Sequence, residues 1–295
     1  MINFELFCDE VENMMAGVLC DYDIESIRLE KVTHNNNTEH MGIVILLKGE
    51  NLAPTIYLER YYNEYLEGKS ISDICCDVAD RYRRAREKMK HEKIEIDLAD
   101  LKEHVFLRLV NSEKNQDMLV NVPHVIFYDM AITFRYLVKL DESGIASVLI
   151  DNDNLKESGM TVEELYGAAK ENTIKLFPPF LMRLDNFLNS RYPQNEKCPD
   201  EPEVYILSNQ QFIYGATMML YKDILMDFCD SIHKDVYLIP SSVNEVLLCF
   251  ADCGGDKDML QKTLREVNGS VVSDMDFLSD TLYYYDKEKD EIRIA

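Results

Sequence analysis

Tryptophan is absent from the sequence, so the aromatic part of any core must come from 12 Phe and 17 Tyr. Long apolar runs are missing too. The stretch 43–47 is among the longest and falls far short of the roughly 20 residues a membrane helix needs, which predicts no helical span and no membrane partner. The opening residues Met1-Ile2-Asn3-Phe4-Glu5 carry no basic region and turn acidic at once, so no secretory signal is expected. The eight cysteines stand at 8, 20, 75, 76, 198, 229, 249 and 253. Cys75 and Cys76 are adjacent, and Cys249 and Cys253 have no second pair nearby, so neither a disulfide framework nor a zinc motif fits. Reduced thiols in a cytoplasmic protein are the expectation. The histidines, at 34, 40, 91, 104, 124 and 233, never recur at i,i+4, which argues against a local metal clamp. Glycine-rich phosphate loops, a nucleophile elbow and HExxH are all missing. No cofactor, metal or catalytic residue is predicted.

Positive charge is scarce. Lys plus Arg number 31 against 54 Asp plus Glu, a net charge of −23. Such a field repels phosphate backbones and favours cationic partners, so nucleic acid is excluded as a partner and a protein partner is kept. The one basic cluster runs from Arg81 to Lys93, where Asp77 and Asp80 are spaced to pair with Arg81 and Arg84 on a helix. It reads as a solvated face, or as a dock for an acidic domain or anionic partner.

What is present is a well-patterned globular chain. Phe4, Phe7, Val11, Met14, Met15 and Val18 trace a helical stripe, and Ile71, Ile74, Cys75, Val78, Tyr82, Ala85 and Met89 trace another. Residues 27–32, 41–48 and 55–59 read as strands. From 126 to 140 every even position is apolar, the alternation of one antiparallel strand with a solvated face, and 145–150 pairs back on it. Asp151 to Asn154 opens like a calcium loop, but Leu155 and Lys156 break the pattern, so it reads as a turn. Thr161 and Glu164 form a capping box. Residues 180–189 and 215–232 read as helices, 204–208, 236–240 and 245–250 as strands, 257–267 as a helix, and 282–286 with 291–294 as a hairpin. Cys253-Gly254-Gly255 is placed to cradle a phosphate, but Asp252, Asp256 and Asp258 oppose an anion there. The fold class predicted is α+β or mixed α/β, with largely antiparallel or mixed sheets and a more α/β-like final third. Expected regions are 1–190, with a sub-boundary near 95, a proline-bearing linker at 191–203, and 204–295.

Two polar groupings gather at strand ends: Asn115, His124 and Asp129 in the middle, and Asn209, Ser241, Ser242 and Glu245 later. Ligand sites of such folds favour these places, although Asn, Ser and Pro also serve plain turns. No nucleophile–base pair can be assembled from them, so they favour binding over catalysis.

Several of these segments occur together in a recognisable way: Pro54 to Leu58, Asn115 followed by Val122-Pro123-His124, Thr161 to Tyr166, Val204 to Asn209, and Ile239 to Ser242. In this combination the chain resembles, over nearly its whole length, an uncharacterised family of anaerobic gut bacteria catalogued as a domain of unknown function. The family's Pro-Ser-Ser-x-His-Glu pattern is met here by Pro240 to Glu245 with Asn244 in the histidine's place, which weakens an acid–base role at that loop. The resemblance implies a bacterial cytosolic origin and transfers no activity. The leading expectation is a non-enzymatic binding or regulatory protein that docks a protein partner. The other is an enzyme with a site near His124, Asp129 and the Ser241-Ser242 loop.

Overall fold

Helix α1 (Phe4–Val18) begins where the Asn3 side chain accepts from the Leu6 amide at 3.0 Å, satisfying one of the amides that a helix start leaves unpaired. Its stripe of Phe7, Val11 and Met15 is wholly buried. Three strands follow, β1 (Ile24–Thr33), β2 (Glu39–Leu47) and β3 (Thr55–Tyr57), forming an antiparallel sheet in that order. Residue 59, read from sequence as strand, instead opens helix α2 (Glu59–Leu66). Helix α3 (Ile71–Met89) buries Ile74, Cys75, Val78, Ala79 and Tyr82 in the same core as α1 and β2, and the Tyr82 hydroxyl donates to the Ile45 carbonyl at 3.1 Å. The basic face of α3 is paired differently from the i,i+4 expectation. Asp77 is taken by Lys69, Asp80 by Arg83 at 3.0 Å, and Arg86 reaches Glu50 at 2.5 Å.

This computed structural model describes residues 1–50, 53–89, 97–141, 144–191, 203–251 and 257–295. The interior of the expected linker, the Cys253-Gly254-Gly255 turn, and Lys90 and Lys93 of the basic cluster lie outside the described residues. The chain divides into two compact units, Met1–Ile94 and Glu95–Ala295. Among the described residues no helix is long and apolar enough to cross a membrane.

The second unit opens with α4 (Leu101–His104), β4 (Val105–Asn111) and α5 (Gln116–Leu119). The alternating run 126–140 proves to be a hairpin rather than one strand: β5 (His124–Phe127) and β6 (Met130–Asp141) are joined at Tyr128 and Asp129, with Tyr128 at φ 59°. The turn pairs Phe127 with Met130, so the core-facing parity switches. Val125 and Phe127 join Ile132 and Phe134 in the core, while Ile126 is left 58% exposed. Strand β7 (Gly144–Leu149) pairs with the far half of β6, and β4 runs along the other edge. The expected solvated face of β6 is covered near its start, where Ala131 and Thr133 are buried.

Asp151 caps α6 (Asn152–Ser158), and the Thr161–Glu164 capping box opens α7 (Val162–Leu176). Residues 180–183, expected in a helix, fall in strand β8 (Pro179–Arg183), which is followed by α8 (Leu184–Arg191). Then come β9 (Val204–Asn209), a 3₁₀ turn over Gly215–Leu220 where one continuous helix was expected, and α9 (Lys222–Ile232). The last elements are β10 (Val236–Ile239), β11 (Val246–Phe250), α10 (Lys257–Val271), β12 (Tyr283–Asp286) and β13 (Glu291–Ile294). They build a six-stranded sheet ordered β13-β12-β10-β11-β9-β8. Every pairing among the described strands is antiparallel. The fold is therefore α+β, and the helix–strand alternation of the last third is threaded without a parallel crossover.

Five fully buried side chains on α3 are each worth about 1.5 to 3 kcal/mol when large and apolar. Ile74→Asp should abolish cooperative unfolding of the 1–94 unit in circular dichroism melts. A variant that melts like the parent would place this stripe on an exposed face.

Candidate functional site

Strand β4 reads Val105-Phe106-Leu107-Arg108-Leu109-Val110, one charge in an apolar run. Because side chains alternate across a strand, Leu107 and Leu109 enter the main core while Arg108 points to the opposite face. Residues directly across a ladder share a face. The register therefore sets Arg108, Thr133 and His124 in one row and Phe106 with Arg135 in the next. Tyr214 packs on this face with Phe106 and Phe177. The guanidinium carbon of Arg108 lies 4.9 Å from the Tyr214 ring centre and that of Arg135 5.8 Å from it, both within cation–π range.

The two arginines differ in one respect. Arg135 is anchored, its Nε and Nη2 donating to the Ser147 hydroxyl and carbonyl, each at 2.9 Å. Arg108 has no such anchor: the residue is partly buried, and its Nε is sealed from solvent with no hydrogen-bond partner among the described residues. Burial pushes the Arg108 pKa down to about 10, with Arg135 adding repulsion and Tyr214 and Asp276 working the other way. It remains a cation at neutral pH.

Tyr214 is held there by a knot of strand ends. Ser208, at the end of β9, donates to the Asn244 carbonyl at 2.6 Å. The Asn209 side chain clasps the next turn, accepting from the Gln211 and Ile213 amides at 3.1 and 3.2 Å and donating to the Ile213 carbonyl at 2.7 Å. Tyr214 itself takes the left-handed conformation, φ 51° and ψ 31°, a strain of roughly 1 to 3 kcal/mol for a non-glycine residue. Its amide donates to the Asn244 side-chain oxygen at 3.2 Å. Gly215 follows, and a Cβ there would collide with the Ser208 hydroxyl and the Asn244 carbonyl and lie 2.9 Å from the Asn209 amide nitrogen.

Asn244 is the hub. Besides accepting from Tyr214, it donates through Nδ2 to Asp276 at 3.3 Å, and its amide donates to the Ser242 hydroxyl at 3.0 Å. The Ser242 hydroxyl turns toward Glu245. The loop is pinned from the other side, where the Leu278 and Ser279 amides donate to the Ser241 and Pro240 carbonyls, each at 3.0 Å. Burial raises the Glu245 pKa, and the nearby Asp276 raises it further against the opposing bond from Ser242.

The sequence-predicted residues thus fall into four places. Asn209, Ser241, Ser242 and Glu245 converge around Asn244. Asp129 does not join them. It accepts from the hydroxyls of Ser279 at 2.7 Å, Thr281 at 2.9 Å and Tyr283, so both of its oxygens are occupied. Burial and this carboxylate together hold the Tyr283 hydroxyl far above its ordinary pKa. Asn115 donates to the Asn111 carbonyl at 2.8 Å, and Asn111 to that of Leu278 at 2.9 Å, tying β4 to the segment beside the Ser241 loop. His124, its Nδ1 2.9 Å from the Val122 carbonyl, stands across Thr133 from Arg108, about 10 Å away at two strand spacings. Arg108, Arg135, Tyr214 and Asp276 were not predicted. The lone arginine inside an apolar strand was the signal available for the first.

The raised Glu245 pKa has a sign that can be checked. The folded state holds this proton above the ordinary 4.5, so Glu245 costs stability progressively as pH rises through its folded value. Glu245→Gln should therefore gain on the parent in denaturant melts as pH is raised from 4.5 to 7, and the gain should vanish below 4.5. A gain that grew on acidification would contradict the assignment.

No curated protein and no solved structure matches the chain. A family model does: it matches residues 4–287, and its description is a family of unknown function (DUF5688). The strand ends, the Asn244 hub and the Arg108 row all lie within that span, and the chain belongs to this family.

Proposed function

We propose that this is a non-enzymatic binding or regulatory protein of the bacterial cytosol, and that its 95–295 unit holds an oxyanion, a carboxylate or phosphate group of its ligand, at Arg108. One observation carries the reading: Arg108 is a partly buried cation whose Nε is sealed from solvent with no hydrogen-bond partner among the described residues. Burying a charge costs several kcal/mol unless it is paired, and a planar guanidinium is the side chain best matched to two oxygens of an anion. Tyr214 fixes one face of Arg108, and Arg135 adds positive charge beside it. The cytosolic assignment is supported by the free thiols of Cys8, Cys20, Cys75, Cys76 and Cys229, several of them buried. A protein partner presenting a carboxylate would use the same arginine.

Arg108→Met tests the proposal, because methionine fills the site without the charge. The variant should melt above the parent, by about 2 to 4 °C for each kcal/mol regained. Acetate or inorganic phosphate at millimolar concentration should raise the melting point of the parent and leave that of the variant unmoved. A variant that melts well below the parent and still responds to the anions would overturn the reading.

A further inference from the structure

A separate cluster lies in the 1–94 unit, where His34 follows β1 and His40 stands in β2. The register sets His40 opposite Val32 and Gly42 opposite Tyr57, and side chains two apart on a strand share a face. Both imidazoles gather there with the Tyr57 ring. The ring centres of His34 and His40 are 5.1 Å apart, and that of Tyr57 lies 5.0 Å from His34 and 5.7 Å from His40. The chain between the histidines turns through Asn36 and Asn37 at φ 60° and 53°, a region asparagine tolerates. The turn closes where the His34 amide donates to the Thr38 carbonyl at 2.8 Å.

Two atoms beside these rings are sealed without a hydrogen-bond partner among the described residues, Nε2 of His34 and Oε2 of Glu59. The other Glu59 oxygen accepts from the Met41 amide, next to His40, at 2.6 Å. Neutral imidazoles pack on a phenol as ordinary aromatic rings. A proton on His34 instead places charge where its Nε2 has neither water nor an acceptor, and a second on His40 sets two cations ring against ring. Glu59 supplies one negative charge against two. The other charged groups of the hairpin are paired among themselves, Arg28 with Glu30 at 2.6 Å and Lys31 with Glu39 at 3.6 Å. From α1, the Cys8 thiol is pushed up to about 12 by burial and then by Glu59, and burial with Glu59 also raises the Tyr57 hydroxyl, so both stay neutral.

We infer that the three rings form a proton-operated latch on the 34–40 turn: neutral imidazoles hold the turn closed against Tyr57, and protonation in mild acid releases it. This device is independent of the oxyanion reading. Burial first, and His40 next, lower the His34 pKa from 6.5 against the pull of Glu59. The folded state thus resists the proton, so the latch contributes fully above 6.5 and fades as pH falls below it.

The test follows the histidine ring resonances and the amide exchange of the full chain from pH 7.5 to 5, with exchange referred to the intrinsic rate at each pH. His34 should titrate below 6.5, and protection of its own amide should fall ten-fold or more across that titration. His40→Gln should move the His34 midpoint upward, and the double variant His34→Gln, His40→Gln should keep its protection level over the whole range. A parent in which His34 titrates at or above 6.5, or in which protection stays flat as the ring titrates, overturns the latch without recourse to any variant. An equal loss of protection in the folded double variant overturns it too.

Discussion

The arrangement of the 95–295 unit turns on one close approach, the backbone of Gly215 against Ser208 and Asn244. No side chain fits between them, so the 3₁₀ turn of 215–220 settles directly on the end of β9 and the loop before β11. That contact leaves Tyr214 little freedom. Its amide must meet Asn244, its backbone is forced into the left-handed region, and its ring comes out on the face of β4 and β6 that carries Arg108 and Arg135. A residue larger than glycine at 215 would push the turn off the strand end, and with it the ring that supports the arginine.

Two clusters of charge near this point are treated in opposite ways. Asp129 accepts from three hydroxyls of the 279–283 segment, a complete network of the kind that rigidifies a fold. Arg108 keeps an Nε with no acceptor among the described residues, although the acids beside Asn244 are themselves bonded, Asp276 by Asn244 and Ser273 and Glu245 by Ser242. Satisfied polar groups explain themselves as structure. Unsatisfied ones reduce stability, and proteins keep such groups where a ligand completes them. The contrast within one unit is what separates scaffold from site here.

Much of the fold was legible in the sequence because it rests on simple periods. The stripes of α1 and α3, the Thr161–Glu164 capping box and the terminal hairpin follow directly from spacing. The failures have specific causes. The 126–140 alternation runs unbroken through a two-residue turn, so the hairpin is invisible while the inward face silently changes from odd to even positions. Residues 215–220 are buried on every side, and a continuous apolar run does not distinguish a 3₁₀ turn from the start of an α-helix. At the site, the polar strand ends were visible and Asn209, Ser241, Ser242 and Glu245 do converge, but they surround Asn244, which sequence reasoning noticed only as a departure from a pattern. Arg108 is marked by no polar loop; its one signal in the sequence is a charge inside an apolar strand.

The central claim is that Arg108 is a partly buried cation whose sealed Nε awaits an oxyanion. Its Nε proton reports this most directly, by nitrogen–proton correlation spectroscopy of the arginine side chains. The account predicts an Nε–H resonance that persists at neutral pH through protection from solvent, disappears in Arg108→Lys, and shifts when acetate is titrated in. A resonance lost to rapid exchange with water, or one indifferent to acetate because a carboxylate of the protein already holds the guanidinium, would contradict it.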